Sequence, residues 1–260
     1  MRVARLVLSF VLILGSCPRL NSQQSVVPPQ RDPQAVLLLA LCSSAMGTVG
    51  PTDTFLATGQ IFYAGGQRPA GAIVLKSSGV DRARRETNNA EGQQVSVVNG
   101  TKGHASQTGH STKFPHWQMK YARPEHIPAA LCKLDLARPR MSVIYLGLEL
   151  LGSGSVHHIQ FFIPAPELVN KVERFEPLIS DFHVYLDAQT FSVVKTKSFA
   201  FSPNAIENHS DWETYYSDYR AVSGVLMPFR ICNFTAGQKL WDIVFTSVQA
   251  NVPVTASDFE

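Results

Sequence analysis

The sequence predicts a mainly β fold of the α+β class, in which one large curved antiparallel sheet wraps over one long helix and one or two short helices. From Asp181 to Phe259, short segments rich in aromatic and β-branched residues alternate with turn signals. One strong helical segment lies near residue 33, and short loops connect the segments that follow it. No linker divides residues 32–260, so we expect a single domain.

Residues 1–22 have the pattern of a signal peptide for export. Arg2 and Arg5 precede the apolar run 6–15. This run is shorter than the roughly 20 residues that span a bilayer. Two ends of the signal remain open: an ordinary peptidase cut after Ser22, or a lipobox in which Cys17 becomes the lipidated first residue. Residues 23–31 are then expected to form a flexible leader.

The mature chain is predicted to be neutral. Removal of residues 1–22 takes away three arginines, so the formal net charge falls from +3 to zero. Such a chain has no basic surplus for nucleic acid or for an anionic membrane. We expect a periplasmic or secreted protein with peripheral membrane association, or with an anchor in the outer membrane if Cys17 is lipidated.

The helix is predicted from its two ends. Asp32 is a good N-cap residue, Pro33 suits the first helical position, and Gly47 can end the helix. Strands follow, and Asn99 with Gly100 forms a hairpin turn. The polar character of residues 80–118 places those strands at an edge of the sheet or against solvent. The predicted strands of this half are 55–65, 70–78, 80–87 and 93–98.

The second half continues the sheet after a short helix at 123–135, which has Pro128 in its first turn. The stretch 166–175 is predicted to be a helical turn or a capping loop. About ten strands are expected in all. Those of this half are 141–152, 156–164, 182–187, 191–201, 214–222, 225–234 and 239–249.

No catalytic motif indicates an enzyme, and we expect no cofactor. The sequence has neither a GxSxG elbow nor an HExxH pair. His157 and His158 are adjacent on a strand and so point to opposite faces, while His104, His110 and His116 are spaced too widely for one metal ion. No metal site is predicted.

The cysteines of the mature chain leave two interpretations open. Cys42, Cys132 and Cys232 are widely spaced and odd in number. The favoured interpretation is three buried thiols that act as small apolar residues. The other is a single disulfide with one cysteine left over.

Several strands are apolar on both faces, which predicts cover on both sides of the sheet. Ten strands also offer more inner apolar surface than one helix can cover. Either the core is filled by the other helices and loops, or the sheet holds a cavity for a lipid or another hydrophobic ligand. Arg220 and Arg230 are candidate headgroup contacts. The candidate cavity residues are Phe199, Phe201, Val225, Met227, Phe229, Trp241, Ile243 and Phe245.

The C-terminal third resembles the LolA and LolB lipoprotein carriers of the bacterial envelope. The resemblance is strongest over residues 181–260 and is carried by HVYLDAQTFSVVK at 183–195, YSDYRAVSGVLMPFRI at 216–231 and IVFTSVQANVPVTASDFE at 243–260. It implies an incomplete β-barrel over helices, with a hydrophobic cavity that receives acyl chains in the carriers.

The leading hypothesis from the sequence is an exported, non-catalytic envelope protein that binds a lipid or acyl chain between sheet and helices. The alternative is an envelope scaffold or protein-interaction domain with a filled core and no ligand. Other envelope proteins are possible partners under both hypotheses, and nucleic acid is not.

Overall fold

The fold is one antiparallel sheet of thirteen strands, curved and open, in the part of the chain that the computed structural model describes, residues 28–66, 68–165, 173–202 and 205–260. Its order is β6-β5-β4-β3-β2-β1-β13-β12-β11-β10-β9-β8-β7. Strands that are consecutive in sequence are therefore neighbours in the sheet, except that β6 and β7 lie at its two edges and the first strand pairs with the last. The strands are β1 Thr54–Tyr63, β2 Gly71–Ser78, β3 Arg82–Asn89, β4 Gly92–Asn99, β5 Lys102–Gln107, β6 His110–Lys113, β7 Ser142–Leu151, β8 Gly154–Phe162, β9 Phe182–Asp187, β10 Val193–Ser202, β11 Ala205–Val222, β12 Val225–Thr235 and β13 Gln238–Ala250.

Four α-helices accompany the sheet in these described ranges: α1 Pro33–Met46, α2 His116–Met119, α3 Pro128–Leu134 and α4 Glu176–Ser180. Helices α1 and α3 pack against one face of the sheet, which we call the inner face, and its other side is the outer face. The mainly β prediction, with one long helix and short ones, is confirmed.

Helix α1 has the predicted bounds. The Asp32 carboxylate accepts hydrogen bonds from the backbone N–H of Gln34 at 2.8 Å and of Ala35 at 3.4 Å, and Pro33 occupies the first helical position. Gly47 ends the helix with φ of 84°, and a β-carbon there would collide with the carbonyl oxygen of Gly224.

A disulfide joins Cys42 of α1 to Cys132 of α3, with 5.9 Å between the two α-carbons. The favoured interpretation of three thiols is therefore wrong for these two cysteines, and the alternative with one disulfide is confirmed. The sequence could not decide because the pair is separated by 90 positions. Cys232 is free and half-buried.

The strand predictions hold except at the polar end of the sheet and at the start of β11. Strands β5 and β6 raise the count above the expected ten, and β6 forms an edge of the sheet, as the polar character of residues 80–118 predicted. Strand β11 begins at Ala205, nine positions before the predicted start, because the polar stretch before residue 214 pairs with β10.

The expectation that the apolar strands are covered on both faces is wrong at Val244 of β13, whereas Leu226 of β12 packs against the core. In β12 the inner residues Phe229 and Ile231 are buried, whereas Arg230 between them is exposed. In β13, Ile243 is buried and Val244 is 36% exposed. Apolar residues on the outer face of these strands are tolerated without a covering layer.

Several predictions fall on the ends and loops. The signal peptide with its lipobox lies outside the described residues, as do residues 23–27 of the leader and residues 166–172. The last leader residues, Gln30 and Arg31, bond to the start of β7, where the N–H of Val143 donates to the carbonyl of Gln30 at 2.8 Å. That end of the predicted flexible leader is held in place.

Candidate functional site

A cavity of 480 Å³ lies between the inner face of the sheet and the segment that carries α2 and α3. Its volume is within the range of small-molecule sites, about 300–1,000 Å³. The apolar part of its wall comes from strands on both sides of β1 and from α2 and α3. These residues are Leu75, Val80, Val98, Met119, Leu134, Ile231, Trp241 and Ile243.

The pleat of the strands places the wall residues. Cross-strand neighbours point to the same face, so the row formed by Leu75, Arg85 and Ser96 on β2, β3 and β4 faces the cavity together. A second row joins Ile231 of β12 to Ile243 of β13. Arginine therefore occupies an inner position in a strand next to an apolar wall.

The polar groups opposite the sheet come from the turn before α3. The N–H of Ile127 donates to the carbonyl of Pro124 at 2.8 Å, and the N–H of Glu125 donates to the carbonyl of Arg123 at 2.9 Å. This tight turn presents Glu125 and His126 to the cavity. The disulfide holds the following helix α3 against α1, which anchors the turn.

Glu125 is a desolvated carboxyl group. Its Oε2 accepts hydrogen bonds from Trp212 Nε1 at 3.3 Å and Thr214 Oγ1 at 3.2 Å. Burial raises the pKa of Glu125 above its ordinary value, although these two hydrogen bonds and the charges of Arg123 and Arg85 oppose the rise. The cavity therefore contains a carboxyl group that is harder to ionise than one in water.

Arg85 and His126 face the same cavity with unused hydrogen-bonding capacity. Arg85 makes neither a hydrogen bond nor an ion pair within the described ranges, and His126 Nε2 is buried without a partner there. Arg85 is exposed to solvent, whereas burial of His126, together with the charge of Arg85, lowers the pKa of this imidazole to about 4. The imidazole is neutral at pH 7, whereas the guanidinium keeps its charge.

A second cavity of 360 Å³ continues the first along β10 and β11. The residues that line both are Val98, Met119, Ala122, Arg123, Glu125 and Trp212. Its far wall is aromatic and contains Phe182, Phe199 and Phe201. The continuous space is longer than either cavity alone.

The predicted cavity residues divide into two sets. Trp241 and Ile243 line the first cavity, and Phe199 and Phe201 line the second. The other four are buried side chains of the filled core and do not line either cavity, because α1 and α3 already cover that part of the inner face. These are Val225, Met227, Phe229 and Phe245.

The two predicted headgroup arginines have different surroundings. Arg220 lies over the ring of Phe229, 4.0 Å from its centroid, and pairs with Asp218 at 2.8 Å. Arg230 alternates with the inner residues of β12 and therefore lies on the outer face. There it pairs with Asp242 at 2.6 Å. Arg230 therefore cannot contact a ligand in the cavity, and neither arginine lines it.

The adjacent histidines His157 and His158 point to opposite faces of the sheet, as neighbouring residues on a strand do. His157 Nδ1 bonds to the hydroxyl of Tyr145 at 3.0 Å, while His158 lies on the other face and bonds to Glu149 and His183. No cluster of three potential metal ligands occurs among the described residues.

One pattern was overlooked in the sequence. Ser192 and Lys195 form an S-x-x-K arrangement, which serves catalysis when a helix brings both side chains to one face. Here Lys195 Nζ bonds to Glu213 at 2.6 Å and the Ser192 hydroxyl bonds to that of Thr190 at 2.8 Å. Lys195 lies within β10, and the two side chains do not bond to each other.

No helix in the described part of the chain is long and apolar enough to cross a membrane. No protein-family model matches the sequence, and no curated protein matches it significantly.

Solved structures do match the fold. A candidate outer membrane lipoprotein-sorting protein domain from Vibrio parahaemolyticus aligns with a TM-score of 0.55 at 10% identity, over 87% of this chain and 96% of its own. A DUF1329 family protein from Desulfovibrio piger aligns with a TM-score of 0.54 at 9% identity, over 87% and 96%. A LolA superfamily protein from Nitrosomonas europaea aligns with a TM-score of 0.51 at 10% identity, over 87% and 97%.

Identities this low show a shared fold and leave activity open. The strand order, the curved open sheet and the helices on its inner face give this chain a LolA-like fold.

Proposed function

We propose that this protein binds a lipid or acyl chain in the cavity between the sheet and the segment of α2 and α3, without transforming it. The observation that carries the proposal is the cavity itself, 480 Å³, whose wall combines leucine, valine, isoleucine, methionine and tryptophan side chains with charged ones such as Arg85, Arg123 and Glu125. Burying an acyl chain gains about 0.8 kcal/mol per methylene, so about twelve methylenes give roughly 10 kcal/mol before the cost of association. The apolar part of the wall therefore supplies the main favourable contribution to binding.

The proposed location is the bacterial envelope, after export. The disulfide between Cys42 and Cys132 supports it, because such bonds persist in oxidising compartments and are rare in the cytosol. The similar structures described as a lipoprotein-sorting domain and a LolA superfamily protein also support an envelope role with a lipid partner.

The alternative of an envelope scaffold without a ligand is favoured by one surface. Strand β7 is an edge strand and exposes Leu146, Leu148 and Leu150, the last of them 82% exposed. Exposed apolar stripes of this kind mark interaction sites. The two proposals differ in ligand binding, because only the first requires a ligand in the cavity.

Filling the cavity tests lipid binding. Val98 lines both cavities, so Val98→Trp should abolish binding of the apolar fluorophore N-phenyl-1-naphthylamine, while Val244→Trp on the exposed face should leave binding unchanged. Wild-type protein extracted with organic solvent should also release lipid in a molar ratio near one, measured by mass spectrometry.

The melting temperature of each variant separates a filled cavity from a damaged fold. If Val98→Trp melts early, Ala83→Leu at its cross-strand neighbour offers a smaller filling of the same cavity. Absence of fluorophore binding and of extracted lipid in the wild type would overturn the proposal and favour the scaffold.

A further inference from the structure

Three buried nitrogen atoms without hydrogen-bond partners lie around the cavity and the space beside it. Arg85 forms no hydrogen bond in the described ranges but is exposed to solvent, whereas His126 Nε2 and Arg138 Nη1 are buried without partners. Gln94 Nε2 is the third: its amide oxygen accepts from Arg68 at 3.0 Å, but its nitrogen is buried and unpaired. Buried polar groups nearly always have partners, so three in one region indicate a missing acceptor.

Arg85 connects these groups in space. It lines the 480 Å³ cavity together with His126, and it lines an adjoining space of 380 Å³ together with Gln94 and Thr87. Thr87 and Gln94 are cross-strand neighbours on β3 and β4, two positions from Arg85 and its neighbour Ser96 on the same face. The donors therefore lie around one end of the apolar space.

The missing acceptor is most simply an oxyanion. A guanidinium has only donors and pairs with carboxylate or phosphate oxygens in a fixed geometry. The neutral imidazole and the amide can each add one N–H to the same oxygens. Glu125 does not fill this role, because its recorded hydrogen bonds come from Trp212 and Thr214 and it forms no ion pair with Arg85.

We propose that the ligand is an amphiphile with a carboxylate or phosphate group, whose oxyanion lies inside the cavity against Arg85, His126 and Gln94 while its chain follows the apolar wall toward Trp241 and Ile243. This inference rests on the proposed function and adds the chemical class and the orientation of the ligand. The anion then pairs with an arginine that has no other partner in the described ranges, and its oxygens accept from the buried N–H groups of His126 and Gln94.

The test compares ligands that share a tail and differ in the head. Dodecanoate, dodecyl phosphate and dodecanol each displace N-phenyl-1-naphthylamine from the wild type, and displacement gives their affinities. We expect the better oxyanion to bind ~tenfold more tightly than the alcohol, as one charge-assisted hydrogen bond provides. Whichever oxyanion binds more tightly identifies the head as carboxylate or phosphate.

Arg85→Gln should remove this preference and leave dodecanol binding unchanged. Arg84→Gln is the matched control, because Arg84 is adjacent on the same strand, faces the other side, pairs with Glu86 and lines neither cavity. His126→Leu should weaken only the oxyanions. Glu125→Gln should strengthen them, since it removes a negative charge from the cavity.

The outcomes separate this inference from the function on which it rests. Equal affinities of oxyanion and alcohol, or an equal effect of the Arg85 and Arg84 variants, would overturn the oxyanion site while lipid binding stands. Failure of all three ligands and of the fluorophore to bind would overturn both. Binding of inorganic phosphate alone at the same concentration as dodecyl phosphate would overturn the role of the tail.

Discussion

His126 shows how the cavity changes the chemistry of a single side chain. Its partly accessible surface lines the cavity, and burial together with the charge of Arg85 lowers its pKa to about 4. In the unfolded chain the imidazole titrates near pH 6.5. The unfolded state therefore binds more protons between these values, and the free energy of unfolding must fall as the pH drops below about 6.5.

This linkage gives a prediction for acid stability. Between pH 7 and pH 5 the wild type should lose about 2 kcal/mol of unfolding free energy through His126 alone, because folding keeps the imidazole neutral at a pH where the unfolded chain is protonated. Urea unfolding of the wild type and of His126→Gln at both pH values measures the difference. The variant should lose correspondingly less.

A control histidine distinguishes this local effect from general acid sensitivity. His110 lies on the exposed edge strand β6, so His110→Gln should keep the wild-type dependence on pH. An identical loss of stability in the wild type and in His126→Gln would contradict the assignment.

At the scale of residues, the sequence predicts only part of the cavity. Trp241 and Ile243 were found because bulky residues at alternate positions of an apolar strand mark an inner face. The polar character of residues 80–118 predicts solvent-facing strands, and the side chain of Arg85 is exposed to solvent. Only the curvature of the sheet over the segment of α2 and α3 places Arg85 at the wall of the cavity, and the pattern of one strand does not contain that information.

Among the elements, helix α3 lines one side of the cavity through Leu134, and α1 packs against α3. The disulfide between Cys42 and Cys132 crosses from one helix to the other, and the Cys42 side chain is fully buried. Helix α3 has seven residues, too few for independent stability. Its position therefore depends on packing and on the covalent link to α1.

Removal of the disulfide should destabilise the fold. The disulfide joins two cysteines that are 90 positions apart, and the loop that it closes restricts the conformations of the unfolded chain. Loss of such a bond lowers the free energy of unfolding by about 2–5 kcal/mol. Cys42→Ser, Cys132→Ser and the double variant should show the same fall in melting temperature, because each loses the same bond. Cys232→Ser should melt like the wild type, since this cysteine is free.

A larger effect of the double variant than of either single variant would contradict this account. Cys232 also reports on wrong pairing: if it forms mixed disulfides in the single variants, a reducing agent will bring their melting temperatures together with that of the double variant.

The elements differ in how well their sequences predict them. Helix α1 carries its own boundaries in Asp32, Pro33 and Gly47, so its ends follow from local chemistry. Strands β5 and β6 have few apolar residues to mark them in the sequence, because β5 is ordered by backbone pairing with β4, and β6 by pairing with β5, and not by burial. The same reason explains the early start of β11.

The whole molecule is an open sheet with two differently protected edges. Strand β6 is short and all four of its residues are exposed and polar, which discourages pairing with another chain. The beginning of β7 is covered by Gln30 and Arg31. The cavity lies where β2, β3 and β4 extend past the main core, so the unfilled space results from a sheet wider than its helices.

A ligand in that space should stabilise the whole domain. A ligand that binds only the folded state at 100 times its Kd adds about 2.7 kcal/mol. For a domain of this size we expect the melting temperature of the wild type in saturating dodecanoate to rise by roughly 5–10 °C. Val98→Trp should show no rise, because its cavity is filled, whereas Val244→Trp should show the full rise. A rise in all three proteins would mean that dodecanoate binds outside the cavity, because Val98→Trp leaves no room for it there.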